Sequence, residues 1–313
     1  MMTFEVSDIS RASEAPALNE FSVYGDMKFY GEGDFDPLVV FNKSKVEYVD
    51  GFWVYEGAQY WYRNHEHSFV AISPSEAVGD EFSPKYSGSR LSLLISMPAY
   101  AGREMEGSQE KNNLSDIVAA THRRLYSKSD MHNSVTFRFG HLFTMINFAP
   151  SLDDKNLKDD VELRIHKFEI MGIRNKASLT IEPAVRRENI TTDERLVEFA
   201  DYDGNDSMTI TFAESGKAIK NGERKDLFNE DEALILLPQT FESSSDSKVR
   251  ITYSLSDDPD HMIEGNISLA NLKWESGKSY SYNITIDRIG LNVGTATIKN
   301  WDTQEINHDW VVE

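Results

Sequence analysis

YEGAQYWYRNHEHSFVAISP, residues 55–74, is the stretch on which the fold turns. Tyr55, Tyr60, Trp61 and Tyr62 crowd ahead of a His-Glu-His triplet, and an apolar run follows up to Pro74. Three readings meet here. Alternate residues of a strand share a face, so His65 and His67 point together and supply two of the ligands a metal requires. The rings could instead stack on sugars. Or the segment is packing: a hairpin with Phe52, Trp53 and Tyr55 on one arm, Glu56-Gly57-Ala58 as the turn, and Tyr60, Trp61 and Tyr62 on the other. Cross-strand aromatic pairs of that kind stabilise a sheet by about 0.2–1 kcal/mol each. Packing is the favoured reading. The remaining histidines (122, 132, 141, 166, 261 and 308) show no paired spacing that would supply a third ligand. The triplet itself reads as a turn over residues 63–66, with Phe69 as the first deeply buried side chain.

Outward from this stretch the dominant period is two. VTFRF (135–139), VELRI (161–165), MTITF (208–212), VRITYSL (249–255) and SYSYNITID (279–287) alternate apolar and polar residues and are rich in β-branched and aromatic side chains. Clusters such as SLDDKN, DYDGND and SLSDDPD separate them with turn chemistry. Recurring short strands between such turns predict an all-β sandwich. One segment reads differently. In NLSDIVAATHRRLY (113–126), Leu114, Ile117, Val118, Thr121 and Leu125 fall at helical spacing, with Asn113 or Ser115 as cap, Asp116 at the N-terminal end and Arg123 and Arg124 at the other. One short surface helix, or a pair of turns, is expected there. The polar patch SLDDKNLKDD (151–160) is the best boundary, giving an N-terminal segment 1–20 and two sandwiches, 21–155 and 156–313.

Composition bounds the chemistry. The 313 residues are 40% hydrophobic and 27% charged, a globular balance, and the net charge of −20 disfavours nucleic acid and anionic membrane. With no cysteine, thiolate metal sites, cysteine nucleophiles and disulfides are excluded. No apolar run reaches the roughly 20 residues of a membrane helix, and the first sixteen residues carry no signal-peptide core. An export signal removed before the mature chain is one explanation. DYDGNDS (201–207) opens like a calcium loop, but its glycine stands fourth and Phe212 occupies the twelfth position, so it reads as an acidic turn. Neither G-x-S-x-G nor H-E-x-x-H nor a phosphate loop occurs. No catalytic residue, cofactor or metal site is expected. A β-sandwich hydrolase would need a cleft with two suitably spaced carboxylates.

The order of motifs resembles the fimbrillin-like proteins of Bacteroidota, the FimA/Mfa-type fimbrial subunits and their relatives. Arg11-Ala12 in SRASEAP precedes FSVYG (21–25); WVYEGAQYW (53–61) and HSFVAISP (67–74) follow; then come DIVAA (116–120), VTFRFGHLFTMINF (135–148) with His141, WESGKSYSYNITI (274–286) and IKNW (298–301). The resemblance runs from about residue 11 to residue 301 and favours packing for the opening stretch. It implies two tandem transthyretin-like β-sandwich domains, export as a lipid-anchored protein and display at the outer membrane in a fimbrium. It also implies donor-strand exchange. An arginine-specific protease would cut between Arg11 and Ala12, removing Phe4, Val6 and Ile9, and the groove would accept a strand from the next subunit, drawn from around residues 298–312. Partners would be other fimbrial subunits and a host or glycan ligand. The alternative is a carbohydrate-binding surface lipoprotein using exposed aromatics, and burial of Trp53 and Trp61 would argue against it.

Overall fold

The computed structural model describes residues 4–7, 18–31, 35–78, 82–97, 117–125, 134–152, 157–158, 160–184, 195–212, 215–228, 234–286 and 291–300. Nearly all of these lie in strands or tight turns, as the alternating segments predict. The largest sheet is antiparallel and runs in the order β10 (Gly140–His141), β8 (Val118–Leu125), β5 (His65–Ser73), β2 (Glu20–Phe29), β3 (Leu38–Val49), β4 (Phe52–Tyr55). Against one face lies a parallel pair, β1 (Phe4–Ser7) with β9 (Val135–Arg138). A second antiparallel sheet orders β14 (Arg195–Asp203), β13 (Lys176–Pro183), β7 (Arg90–Ser96) and β6 (Lys85–Ser87).

Two further sheets complete the C-terminal part. One runs β17 (Leu234–Leu236), β11 (Thr144–Leu152), β22 (Lys278–Ile286), β23 (Leu291–Asn300), with β11 and β22 parallel. The other runs β15 (Asp206–Thr211), β12 (Glu162–Ile173), β19 (Lys248–Leu255), β20 (Asp258–Ser268), and β16 (Lys217–Lys220) also pairs with β12. A short ribbon joins β18 (Gln239–Thr240) to β21 (Lys273–Trp274). Among the described residues, strand pairing crosses residue 155 three times, through β7 with β13 and through β11 with both β22 and β17.

Two apolar cores result, and β2, β5 and β8 separate them. Phe21, Val23, Phe69, Ala71, Val118 and Ala120 point into the smaller core with Val135 and Phe137 of β9 and Phe139 just after it. Their neighbours Tyr24, Val70, Ile72 and Ala119 point the other way into the larger core, shared with β7, β12 and β13. Covered on both sides, β5 reads as a continuous apolar run rather than an alternation. Burial begins earlier than expected: His67 is as inaccessible as Phe69.

The helix expected at 113–126 is corrected by the structure. Residues 118–125 form β8, paired with β5 from Ser73↔Val118 to Glu66↔Leu125. Small Ala119 and Ala120 fill the two opposite faces, and β-branched Val118 and Thr121 suit the pleat. As a helix this segment would leave the edge of β5 without a partner beneath two cores. Tertiary pairing therefore overrides the 3.6-residue spacing. Among the described residues the one helical element is a 3-10 turn at Ser75–Val78. The expected caps at 113–116 lie outside the described residues.

The aromatic hairpin also shifts. Its turn is not Glu56-Gly57-Ala58 but Asp50-Gly51, both at positive φ, which joins β3 to β4 and aligns Tyr48 with Trp53. An Asp-Gly pair adopts these angles readily and matches the twist of the flanking strands. Tyr60, Trp61 and Tyr62 follow in a non-strand segment that folds back under β5. Near the C-terminus the indole Nε1 of Trp274 donates to the hydroxyl of Tyr282 at 2.8 Å, while the Glu275 amide donates to the Tyr280 hydroxyl at 3.0 Å. The W-x-x-G-x-x-Y-x-Y spacing is thus one buried hydrogen-bonded corner.

Two stability predictions follow from this packing. A Cβ on Gly25 would sit 2.6 Å from the Phe69 ring, which is fully buried and cannot move aside. Gly25→Ala is expected to cost about 1–3 kcal/mol in urea unfolding. Tyr282→Phe leaves the buried Trp274 N–H without its acceptor and is expected to cost about 1–3 kcal/mol.

Candidate functional site

β9, whose Val135 and Phe137 belong to the smaller core, takes its partner from β1. β1 contributes four residues, hydrogen-bonds to β9 in parallel, and places Phe4 opposite Val135 and Val6 opposite Phe137. Beneath β9, Phe137 meets Phe21 at 5.6 Å and Phe139 at 6.0 Å in edge-to-face geometry. Phe21 in turn lies 5.0 Å from Trp53, and Phe41 lies 5.3 Å from Tyr55. The β4 rings therefore wedge the rim of this core. Arg11, Ala12 and Ile9 lie outside the described residues.

The opening aromatics divide into two populations. Trp53, Tyr55 and Trp61 are half-buried and pack on the smaller core. Trp61 meets the His67 ring edge-on at 4.9 Å and Phe69 at 6.0 Å. Phe52, Tyr60 and Tyr62 are exposed. Half-burial of both tryptophans argues against sugar stacking at Trp53 and Trp61 and leaves Phe52, Tyr60 and Tyr62 as the exposed rings of the stretch. Sequence reasoning overlooked a second exposed group, Phe29, Tyr30 and Phe35. Its signal was present: large rings interrupting a Gly/Asp-rich turn, FYGEGDFD (29–36).

The histidine triplet is a structural junction. Asn64 takes a left-handed conformation, φ 58°, and the His65 amide donates to the Tyr62 carbonyl at 3.3 Å. The turn thus spans 62–65, and β5 begins at His65 rather than after Glu66. The rings of His65 and His67 are 6.5 Å apart, and Nδ1 of His67 bonds the His65 carbonyl at 3.2 Å. Glu66 on the opposite face pairs with Arg123 at 2.6 Å. Among the described residues no three His, Asp or Glu side chains gather at metal-binding distance.

Burial sets the electrostatics. Loss of water around His67 pushes its pKa down to about 4, against the ordinary 6.5. Burial pushes the Asp26 carboxyl above its usual range, while bonds from the Ser89 amide (2.7 Å) and hydroxyl partly restrain the shift. Asp26 thereby ties the turn between β6 and β7 to β2. The acidic DYDGND segment connects β14 to β15 across two sheets. There Ser178 donates to Asp201 at 2.8 Å and Asn175 to Asp206 at 3.1 Å. A polar cleft of about 390 Å³ opens beside the bulge at Gly172 and is lined by Arg174, Asn205, Ser245, Asp246 and Ser247; Asp246 is its single carboxylate.

Sheets of mainly antiparallel strands around aromatic cores place the chain in the all-β sandwich class, and similarity to known proteins narrows it. The family model described as fimbrillin-like matches residues 17–301, and the chain belongs to that fimbrillin-like family. A fimbrial protein from Bacteroides vulgatus is similar in structure, with TM-score 0.60 at 15% identity, covering 96% of this chain and 99% of that one. A candidate cell adhesion protein from Bacteroides ovatus is similar at TM-score 0.52 and 14% identity, covering 97% of each chain. No curated protein matches.

His67 generates a pH prediction. Its folded-state pKa lies below the unfolded value, so between about 6.5 and 4 the unfolded chain binds a proton that the folded one refuses. Stability should fall with pH across that window, by about 3 kcal/mol at most. Asp26, raised rather than lowered, acts in the opposite direction. Urea titrations at pH 7, 6, 5 and 4 should show a shallower acid slope for His67→Phe than for the parent chain.

Proposed function

We propose that this chain is a non-enzymatic subunit of an adhesive surface fimbrium that joins its neighbours by strand exchange after N-terminal processing. Family membership supports the cell-surface adhesive role. The observation that carries the finer reading is β1: a terminal four-residue strand that completes β9 through a single edge and precedes Arg11. Cleavage between Arg11 and Ala12 would release β1. The freed backbone edge of β9 would then lie over Val135, Phe137 and Phe139, all part of a closed apolar core. Such an edge favours an incoming strand, because main-chain hydrogen bonds supply affinity and alternate side chains fill the vacated positions.

The donor in this proposal comes from the C-terminal end. Ile298 and Asn300 are already paired in β23, opposite Tyr280 and Lys278. Donation therefore uses residues 301–313 or requires release of β23 from β22. Division into sandwiches at residue 155 belongs to the same proposal, with β7 and β11 as the strands that lock the two units together. Lipid anchoring at the outer membrane is part of it as well.

The full-length chain should be treated with an arginine-specific protease. Intact mass should show selective loss of residues 1–11, and size exclusion should show oligomers that ladder on SDS gels without boiling. Arg11→Ala should stay uncut and monomeric, and excess peptide of residues 1–11 should suppress assembly of the cut protein. Selective cutting without oligomers, or cutting elsewhere, overturns strand exchange through this groove.

A further inference from the structure

At the opposite end of β3 from the Asp50-Gly51 turn, the ends of β2, β3 and β5 bring together a set of exposed rings. Phe29 is 38% exposed, Tyr30 59%, Phe35 48% and Tyr62 48%, with Leu38 beside them at 59%. Phe29, Phe35 and Tyr62 are joined through one another and His65, with Tyr30 next to Phe29 in the chain. Phe35 meets Phe29 at 5.4 Å, Phe29 meets His65 at 5.4 Å, and Tyr62 meets His65 at 5.9 Å, each steeply inclined to its neighbour. The chain of rings continues inward from His65 to His67 and Trp61. Gly31 lies under the Phe29 ring, where a Cβ would collide with it.

The backbone beneath is fixed. The Tyr30 amide donates to the Asn64 carbonyl at 2.8 Å, joining the end of β2 to the turn before β5, and Nδ1 of His65 bonds the Arg63 carbonyl at 2.9 Å. A ligand need not order the backbone under Tyr30 and Tyr62, which lowers the entropic cost of association. Loops held this way on a rigid sheet are where binding function concentrates.

Size and charge select the occupant. At side-chain areas of 150–250 Å² per ring, the patch exposes on the order of 400–500 Å². That is as large as the biggest apolar patch of an ordinary monomer, yet well short of the roughly 800 Å² per partner of a stable protein interface. It suits one to three sugar rings, whose C–H faces lie against aromatic faces that carry partial negative charge. A chain of net charge −20 repels sulfated and sialylated ligands. We propose that Phe29, Tyr30, Phe35 and Tyr62 form a binding platform for a neutral glycan. The platform operates in the uncut monomer and does not rest on strand exchange.

Saturation-transfer NMR on the uncut full-length chain should use neutral galactosyl, mannosyl and N-acetylglucosaminyl oligosaccharides, with 3′-sialyllactose as the charged comparison. At least one neutral probe should bind in the sub-millimolar to low-millimolar range. Tyr30→Ala and Tyr62→Ala should each weaken it about tenfold or more, with the far-UV spectrum and melting unchanged. Tyr48→Ala removes an equally exposed ring about 30 Å along β3 (at 3.3 Å per residue) and should leave binding intact. Absence of any neutral binder at 10 mM overturns the platform. So does a stronger response from the sialylated probe, or equal loss with Tyr48→Ala. Concentration-dependent dimerisation abolished by Tyr30→Ala would also overturn it, by assigning the patch to a second copy.

Discussion

Burial of both faces of β5 is the constraint on which the rest of the structure depends. His67, Phe69 and Ala71 face one core and Val70 and Ile72 the other, and none is accessible to water. Such a strand must be paired on both edges, because an unpaired backbone amide inside a core costs as much as a lost hydrogen bond. β2 supplies one edge and β8 the other. β8 is thereby required to be extended, whatever its local preference. Gly25 must lack a side chain so that the Phe69 ring can lie across β2. Through its two faces β5 also couples the cores, so that a change in the packing of one is felt in the other.

Aromatic residues serve two opposed purposes within a few ångströms. Phe21, Phe41, Phe69, Phe137 and Phe139 make the smaller core, with Trp53, Tyr55 and Trp61 as its rim. A few residues away Tyr30, Phe35 and Tyr62 stand in water. His65 and His67 join the two populations through ring contacts, His65 partly exposed and His67 buried and held neutral by its surroundings. A polar residue so deeply placed costs stability as acid is added. The same side chain completes the ring stack that supports Trp61.

Much of this was legible from residues alone. Alternation located β9, β12, β15, β19 and β22, and the Trp274–Tyr282 motif proved to be a single hydrogen-bonded corner. Within 55–74, Tyr55, Trp61 and Phe69 pack as read while Tyr60 and Tyr62 face water, and the hairpin was placed one turn too late; Asp50-Gly51 is the stronger hairpin signal. The exposed rings at 29–35 were missed because a Gly/Asp-rich turn usually marks a loop of no further interest. Exposure, which distinguishes a core ring from a surface ring, is a property of what covers a residue.

Alternation, turn chemistry and the absence of cysteine determined by themselves that the chain is an all-β sandwich held together by packing, because these depend only on neighbours along the chain. Tertiary structure alone decided that 118–125 is a strand, that β7 joins β13 and β11 joins β22, and which rings face water. Each of those outcomes depends on a partner distant in sequence. A backbone edge takes the partner that leaves no buried amide unpaired, even where local spacing favours a helix.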